Sequence, residues 1–134
     1  MPTVTGPDFI ALQVRDVAAA ATFYETNLGL TRAPSSPPGA VVFTTAPVAF
    51  AVRSPLPGLD LDSVHPAPGA GVALWLASDD AQGLHDQLAT AGVPVPVPPF
   101  DGPFGRTFTF TDPDGYAVTV HQAVPVSVPS GATR

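Results

Sequence analysis

The sequence lacks several residue types on which protein chemistry often depends. Among its 134 residues there is no cysteine, no lysine and a single glutamate, Glu25. Without cysteine, disulfide bonds and thiolate metal sites are excluded, and without lysine there is no Schiff-base catalysis. Five arginines stand against eleven acidic residues, which gives a net charge of −6. Nucleic acid is therefore not an expected partner, because binding to phosphates needs clustered cations.

Long apolar runs and targeting patterns are missing as well. No stretch approaches the roughly 18 apolar residues of a membrane span, so we expect no membrane partner. The first residues, Met-Pro-Thr-Val-Thr, lack the basic and apolar regions of a signal peptide. We therefore expect a cytoplasmic protein. With 45% hydrophobic residues, the chain has enough apolar side chains to bury the core of one domain.

The most regular stretch runs from Gly105 to His121 and predicts a β-hairpin. Its turn is Asp112-Pro113-Asp114-Gly115, in which proline presets φ and glycine permits a positive φ. Apolar and polar residues alternate on both strands, so one face should be core and the other should be half polar. The core face would carry Phe108, Phe110, Val118 and Val120, and the other face Thr107, Thr109, Thr111, Ala117, Thr119 and His121.

The first half of the chain predicts a strand, a helix and a hairpin. Residues 8–14 alternate, with Ile10, Leu12 and Val14 on a core face and Phe9, Ala11 and Gln13 on an open face. Asp16 is the expected N-cap of a helix that runs to about Asn27 and stops at Gly29. Residues 41–45 and 48–53 should form the hairpin.

The second half repeats this order after an irregular segment at 54–70. A strand is expected at 71–77, with Val72, Leu74 and Leu76 on the core face and Trp75 on the open face. Ser78 or Asp79 should cap a second helix that ends at Gly92, and residues 93–98 should form a proline-containing edge strand. The closing hairpin follows.

This duplication predicts the α+β class, with two tandem βαβββ modules in a single domain. The first module covers about 8–54, a linker loop 55–70, the second module about 71–122, and a mobile tail the remaining residues, 123–134. We expect the two modules to form curved mixed sheets around a cleft, with the helices outside.

Three sequence motifs carry a family resemblance. Val14-Arg15-Asp16 is followed by Phe23-Tyr24-Glu25-Thr26-Asn27-Leu28-Gly29-Leu30 and, about eighty residues later, by Asp112-Pro113-Asp114-Gly115-Tyr116. Together they resemble the vicinal oxygen chelate superfamily, which includes glyoxalase, extradiol dioxygenases and bleomycin-resistance proteins. The resemblance covers roughly Asp8 to Gln122, and it implies the same two-module fold.

In metal-dependent members of that superfamily, the ligands are usually two histidines and one or two glutamates on cleft-facing strands. The resemblance carries these positions onto Phe9, Gly71, Thr119 and either Ala49 or Ala51. None of these side chains binds a divalent ion usefully, so we expect neither a metal nor another cofactor. Glu25 is expected on a helix facing solvent, His65 in the linker loop and His85 beside the second helix's apolar stripe.

The expected cleft offers aromatic and amphipathic side chains instead of a catalytic set. Flat rings with a few polar groups suit a planar or cationic organic ligand. For Trp75 the alternative is ordinary core packing, and for His121 a position at the rim with a hydrogen bond to the backbone. The candidate ligand-binding residues are Phe9, Gln13, Arg53, Trp75, Phe104, Arg106, Thr109, Thr119 and His121.

These features are similar to the metal-free, bleomycin-resistance-like branch, whose members sequester a small molecule and are usually homodimers. The acidic charge favours a cationic ligand. Two alternatives remain: an enzyme related to glyoxalases or dioxygenases that uses atypical ligands or no metal, and a non-catalytic interaction module whose cleft is packed shut.

Overall fold

The computed structural model describes residues 2–123, and the chain divides into two compact units between His65 and Pro66. Within the described residues there are two α-helices and eight strands, the strands forming two four-stranded sheets. The predicted α+β class with two repeated modules is confirmed. Residues 124–134 of the predicted tail lie outside the described residues. That both units form one domain around a shared cleft stays a prediction.

The first unit contains β1 (Phe9–Gln13), α1 (Val17–Leu28), β2 (Thr31–Arg32), β3 (Ala40–Thr44), β4 (Ala49–Arg53) and a 3-10 helix (Leu61–Ser63). Its sheet order is β1-β4-β3-β2. The β1–β4 pair is parallel and the other two pairs are antiparallel. Because α1 packs on β3 and β4, one face of this sheet is covered by the helix. The opposite face is called the first open face below.

The second unit repeats this plan with β5 (Leu74–Ser78), α2 (Ala81–Thr90), β6 (Val97–Gly102), β7 (Gly105–Thr111) and β8 (Ala117–Gln122). Its order is β5-β8-β7-β6, again with one parallel pair, β5–β8. Helix α2 packs on β5, β7 and β8. The face opposite α2 is called the second open face.

Capping fixes the first helix where the sequence predicts it. The Asp16 carboxylate accepts a hydrogen bond from the Ala19 N–H at 3.0 Å, which satisfies a donor at the helix start. At the other end Gly29 adopts the left-handed conformation with φ of 71°, and its N–H donates to the Tyr24 carbonyl. The buried Tyr24 ring lies 5.1 Å from the Phe50 ring in an edge-on contact, which ties the helix to its sheet.

The closing hairpin has the predicted turn and the predicted core face. The Asp112 carboxylate accepts from the N–H groups of Asp114 at 2.9 Å and Tyr116 at 3.0 Å, and Gly115 has φ of 97°. Both carboxylates of the turn are buried, at 4% and 7% exposure. On the helix-covered face four strand side chains are fully buried: Phe108, Phe110, Val118 and Val120.

Two expected boundaries at the start of the second module are wrong. Strand β5 begins at Leu74, because residues 69–72 form a turn in which the Val72 N–H donates to the Gly69 carbonyl at 3.0 Å. Val72, expected in the core, is 75% exposed. The N-cap of α2 is Asp80, whose carboxylate accepts from the Gly83 N–H at 2.9 Å. Three adjacent residues with capping oxygens made the choice between them ambiguous in the sequence.

The edge strand of the second sheet also lies later than expected, at Val97–Gly102 instead of 93–98. The Val93 N–H donates to the Leu88 carbonyl at 3.0 Å and so belongs to the end of α2. Pro94 and Pro96 have no N–H to donate to a neighbouring strand, which delays regular pairing. The expectation that this strand lies at a sheet edge is confirmed.

Candidate ligand-binding site

Strand register brings three predicted residues into one row on the second open face. Trp75 on β5 is paired with Thr119 on β8, and Thr119 is paired with Thr109 on β7. Paired residues on adjacent strands point to the same side of a sheet. The two threonine hydroxyls lie 2.9 Å apart and share one hydrogen bond. The row therefore places the Trp75 indole beside a pair of hydrogen-bonded threonine hydroxyls.

Three rings meet around the indole of this row, and we call Trp75, Phe104 and His121 the aromatic cluster. Ring centroids are separated by 5.6 Å for Trp75 and Phe104, 5.9 Å for Trp75 and His121, and 6.4 Å for Phe104 and His121. All three pairs are tilted or edge-on, as aromatic quadrupoles prefer. Trp75 is 46% exposed and Phe104 61% exposed. Large aromatic surface thus remains available for contact with a ligand.

The local sequence explains how these rings come together. Phe104 lies in the tight β6–β7 turn, where Gly105 has φ of 90°. His121 is two residues beyond Thr119 on β8 and is paired with Ala77 and Thr107. Ala77 is small, so it leaves space beside the imidazole. A turn residue and two parallel-paired strands, far apart in sequence, therefore supply one cluster.

His121 has an unsatisfied polar atom. Its Nδ1 is buried, and within the described residues it has no hydrogen-bond partner. Most buried polar atoms in proteins are paired, so this exception marks His121 as a residue to test. The side chain of the next residue, Gln122, makes two hydrogen bonds to the backbone. Its Oε1 accepts from the Ala81 N–H at 2.9 Å, and its Nε2 donates to the Asp79 carbonyl. The end of β8 is thereby fixed to the start of α2.

Three predicted residues belong to the first unit. Phe9 is 51% exposed at the start of β1 and is paired with Ala49. Gln13 accepts a hydrogen bond from the Leu56 N–H at 2.7 Å, so its amide holds the loop after β4. Arg53, paired with Gln13, donates from Nε to the Ser54 carbonyl at 2.9 Å. All three lie on the first open face.

Arg106 is not brought together with the aromatic cluster. Its position on β7 has the same parity as Phe108 and Phe110, so it lies on the face covered by α2. There its Nε donates to the Gln82 side-chain oxygen at 2.9 Å, and its Nη1 is 3.2 Å from the Asp101 carboxylate. This location follows from strand alternation alone.

Sequence reasoning missed Phe100 as a neighbour of the site. It is 45% exposed and paired with Thr107, which in turn is paired with His121. Phe100 was overlooked because the edge strand was expected to end at Pro98. Strand alternation also does not identify Phe100, because the β6–β7 register shifts between Val97 and Phe100.

The two repeated modules show which residues correspond to Phe9 and Thr119. Matching the caps Asp16 and Asp80 makes Ala73 the counterpart of Phe9. Matching the parallel pairs Ala11–Ala51 and Trp75–Thr119 makes Ala51 the counterpart of Thr119. Alanine has no ligating atom. Within residues 2–123, no three His, Asp or Glu side chains form a group suited to a metal ion.

The remaining histidine with a described contact lies elsewhere. His85 on α2 has its Nδ1 3.0 Å from the Asp86 carboxylate and its ring edge-on to Phe108 at 5.4 Å. The hydrogen bonds from His85 and then Gln82 lower the pKa of the Asp86 carboxyl below its usual value. Asp86 lies on the exposed surface of the helix, so the His85–Asp86 pair does not resemble an enclosed catalytic dyad.

No helix in the described part of the chain has the length and apolarity to cross a membrane.

Comparison with known proteins agrees with this architecture. The chain is 34% identical over 125 residues to the anthracycline biosynthesis protein DnrV of Streptomyces peucetius, and this covers 85% of the chain but only 46% of that protein. It thus spans about half the length of this curated relative.

Solved structures share the fold at low identity. TnmS3, an antibiotic binding protein from Streptomyces sp. CB03234, matches with a TM-score of 0.71 and 22% identity, over 92% of this chain and 100% of that one. A lactoylglutathione lyase from Agrobacterium tumefaciens matches with a TM-score of 0.63 and 22% identity, over 90% and 96% of the two chains. Because a family model matches residues 6–120, the chain belongs to the Glyoxalase/Bleomycin resistance protein/Dioxygenase superfamily.

Proposed function

We propose that this chain is a metal-free binding protein that sequesters a planar organic ligand, such as an antibiotic, on the second open face. The observation that carries the proposal is the aromatic cluster. A half-exposed indole and an exposed phenyl ring, held on a rigid sheet, can stack on a flat ligand at little cost in ordering. The neighbouring threonine hydroxyls supply polar contacts that fix its orientation.

Net charge favours the cationic members of this ligand class. At −6, the chain attracts a positive ligand over long range. Once bound, the cation would be stabilised further over the faces of Trp75 or Phe104, by about 0.5–2 kcal/mol. Arg106 does not oppose this, because it lies on the helix-covered face and is paired with Asp101.

Two of the similar proteins support a ligand of this kind. TnmS3 is described as an antibiotic binding protein, and DnrV as an anthracycline biosynthesis protein. Anthracyclines contain planar fused rings, which suit stacking on an indole. The second name also favours an alternative, in which the chain acts on such a compound as an enzyme in its synthesis.

The test uses daunorubicin as the anthracycline probe and bleomycin as the glycopeptide probe. If the chain sequesters a ligand, at least one probe raises the melting temperature and changes the fluorescence of Trp75, the only tryptophan of the chain. The bound compound is then recovered with unchanged mass. Recovery of a chemically altered compound would favour the enzyme, and no response from any member of a wider antibiotic panel would refute sequestration.

We further propose that the protein acts as a homodimer in the cytoplasm. Large apolar side chains are exposed on each unit, Phe9 on the first and Val97 and Phe100 on the second. Exposed apolar patches commonly mark an interface.

A further inference from the structure

The buried Nδ1 atom of His121 needs a hydrogen-bonding partner that the described part of the chain does not provide. Its closest ring neighbours are Trp75 and Phe104, at centroid distances of 5.9 and 6.4 Å. The polar atom therefore belongs to a residue of the same cluster, although the atom itself is closed to solvent in the free chain. A ligand that contacts these rings can satisfy it once the imidazole turns to present it.

A second polar group lies along the same strand. Thr119 and His121 are two residues apart on β8, which places them about 7 Å from each other on one face. In the Thr109–Thr119 pair, one hydroxyl hydrogen is used in the shared bond. The other hydroxyl hydrogen remains able to donate. The face thus presents two hydrogen-bonding points beside the indole of Trp75.

The chemistry of imidazole selects the complementary group. Nδ1 accepts a hydrogen bond in one neutral tautomer, and it donates in the other tautomer and in the charged ring. A hydroxyl can both donate and accept, so it pairs with Nδ1 in every state. An ether oxygen only accepts, and an ammonium group only donates, so each pairs with some states alone.

We propose that His121 selects planar aromatic ligands that carry a hydroxyl group, which bonds to its Nδ1 while Trp75 and Phe104 contact the rings. This deepens the proposed function and rests on it. The cluster supplies affinity for any flat ligand, and the imidazole distinguishes hydroxylated ligands from others of the same shape. The unfilled hydrogen bond is then a specificity feature of the site.

The test compares two probes that differ only at the hydroxyl: 2-naphthol and 2-methoxynaphthalene. Binding is followed by NMR through the single tryptophan indole N–H. We expect 2-naphthol to bind about fivefold more tightly, the ratio expected from one net hydrogen bond of about 1 kcal/mol. His121→Phe keeps an aromatic ring at this position and should bring the ratio to about one. His85→Phe is the matched control and should keep the fivefold ratio.

A direct measurement on the unchanged chain covers the case in which His121→Phe does not fold. The ¹⁵N shift of the His121 Nδ1 should move further with 2-naphthol than with 2-methoxynaphthalene, because the ether oxygen pairs with Nδ1 only when Nδ1 carries a proton. Equal affinities for the two probes, or an unmoved Nδ1 signal while the indole signal shifts, would overturn the role of His121 and leave the proposed function standing. If none of these probes and no member of the wider antibiotic panel, daunorubicin and bleomycin included, shifts the indole signal, both proposals fail together.

Discussion

Replacing Trp75 by alanine is the most informative change in this chain, because it separates a binding residue from a core residue. The indole is 46% exposed and contacts the rings of Phe104 and His121. A buried aromatic side chain removes about 150–250 Å² from water. A ligand that covers the exposed half would therefore bury roughly 100 Å² of the indole, worth up to about 2.5 kcal/mol at 25 cal/mol per Å².

Only part of this area term appears as affinity, since binding also orders the ligand and displaces water. Stacking geometry adds about 0.5–1.5 kcal/mol. We therefore expect Trp75→Ala to weaken binding of a planar probe at least tenfold, a loss of about 1.4 kcal/mol. The free energy of unfolding should fall by less than about 2 kcal/mol, because a core aromatic residue would lose about 3–5 kcal/mol on truncation.

The assay is a titration with daunorubicin or bleomycin followed by thermal shift, together with urea unfolding of each variant. Trp75→Phe should recover much of the binding, and Val72→Ala is the matched control, since Val72 is exposed outside the strand. Acrylamide should quench the tryptophan emission of the free protein and do so less after ligand is added. An emission insensitive to quencher, and unchanged by any ligand that raises the melting temperature, would refute the assignment of Trp75 to the site.

Three further predictions concern metal, assembly and the hairpin turn. Elemental analysis after dialysis should find far less than one zinc, iron, nickel or manganese per chain, and chelator should leave probe binding unchanged; a stoichiometric metal would contradict this. Sedimentation at micromolar concentration should give a dimer, and a monomer would argue against the homodimer. Gly115→Ala should lower the free energy of unfolding by about 1 kcal/mol or more, because φ is 97° there. Gly71→Ala, with open space and no positive φ, should change it by less than about 0.5 kcal/mol, and equal effects would disprove the strain argument.

The sequence predicted elements best where one physical signal dominated. Strict alternation identified β7 and β8 and their buried faces, and a single capping aspartate followed by a single glycine identified α1. Prediction failed where several residues competed for one role. Val72 continues the apolar alternation of Leu74 and Leu76, yet Gly69 and Gly71 favour a turn, and the Val72 N–H donates to the Gly69 carbonyl in that turn.

The candidate site was predictable in part for the same reason. Strand parity was enough to place Trp75, Thr109, Thr119 and His121 on one face. The position of Phe104 depends on the path of a tight turn, which alternation does not determine. Arg106 was included as one of the polar groups, although its parity with Phe108 already indicated the helix-covered face. The unsatisfied Nδ1 of His121 depends on burial of a single atom, which no sequence pattern contains.

The sheet order has a consequence for how the protein is made. In the second sheet the last described strand, β8, lies between β5 and β7. Trp75 is paired with Thr119, which is 44 positions later in the chain. In the first sheet the corresponding partners, Phe9 and Ala49, are 40 positions apart, and both precede β5. During synthesis we therefore expect the first module to pair its strands while the second is still incomplete. A nascent chain interrupted before Ala117 would leave β5 without its partner strand and Trp75 without Thr119 beside it, so the proposed site would form only once β8 has been synthesised.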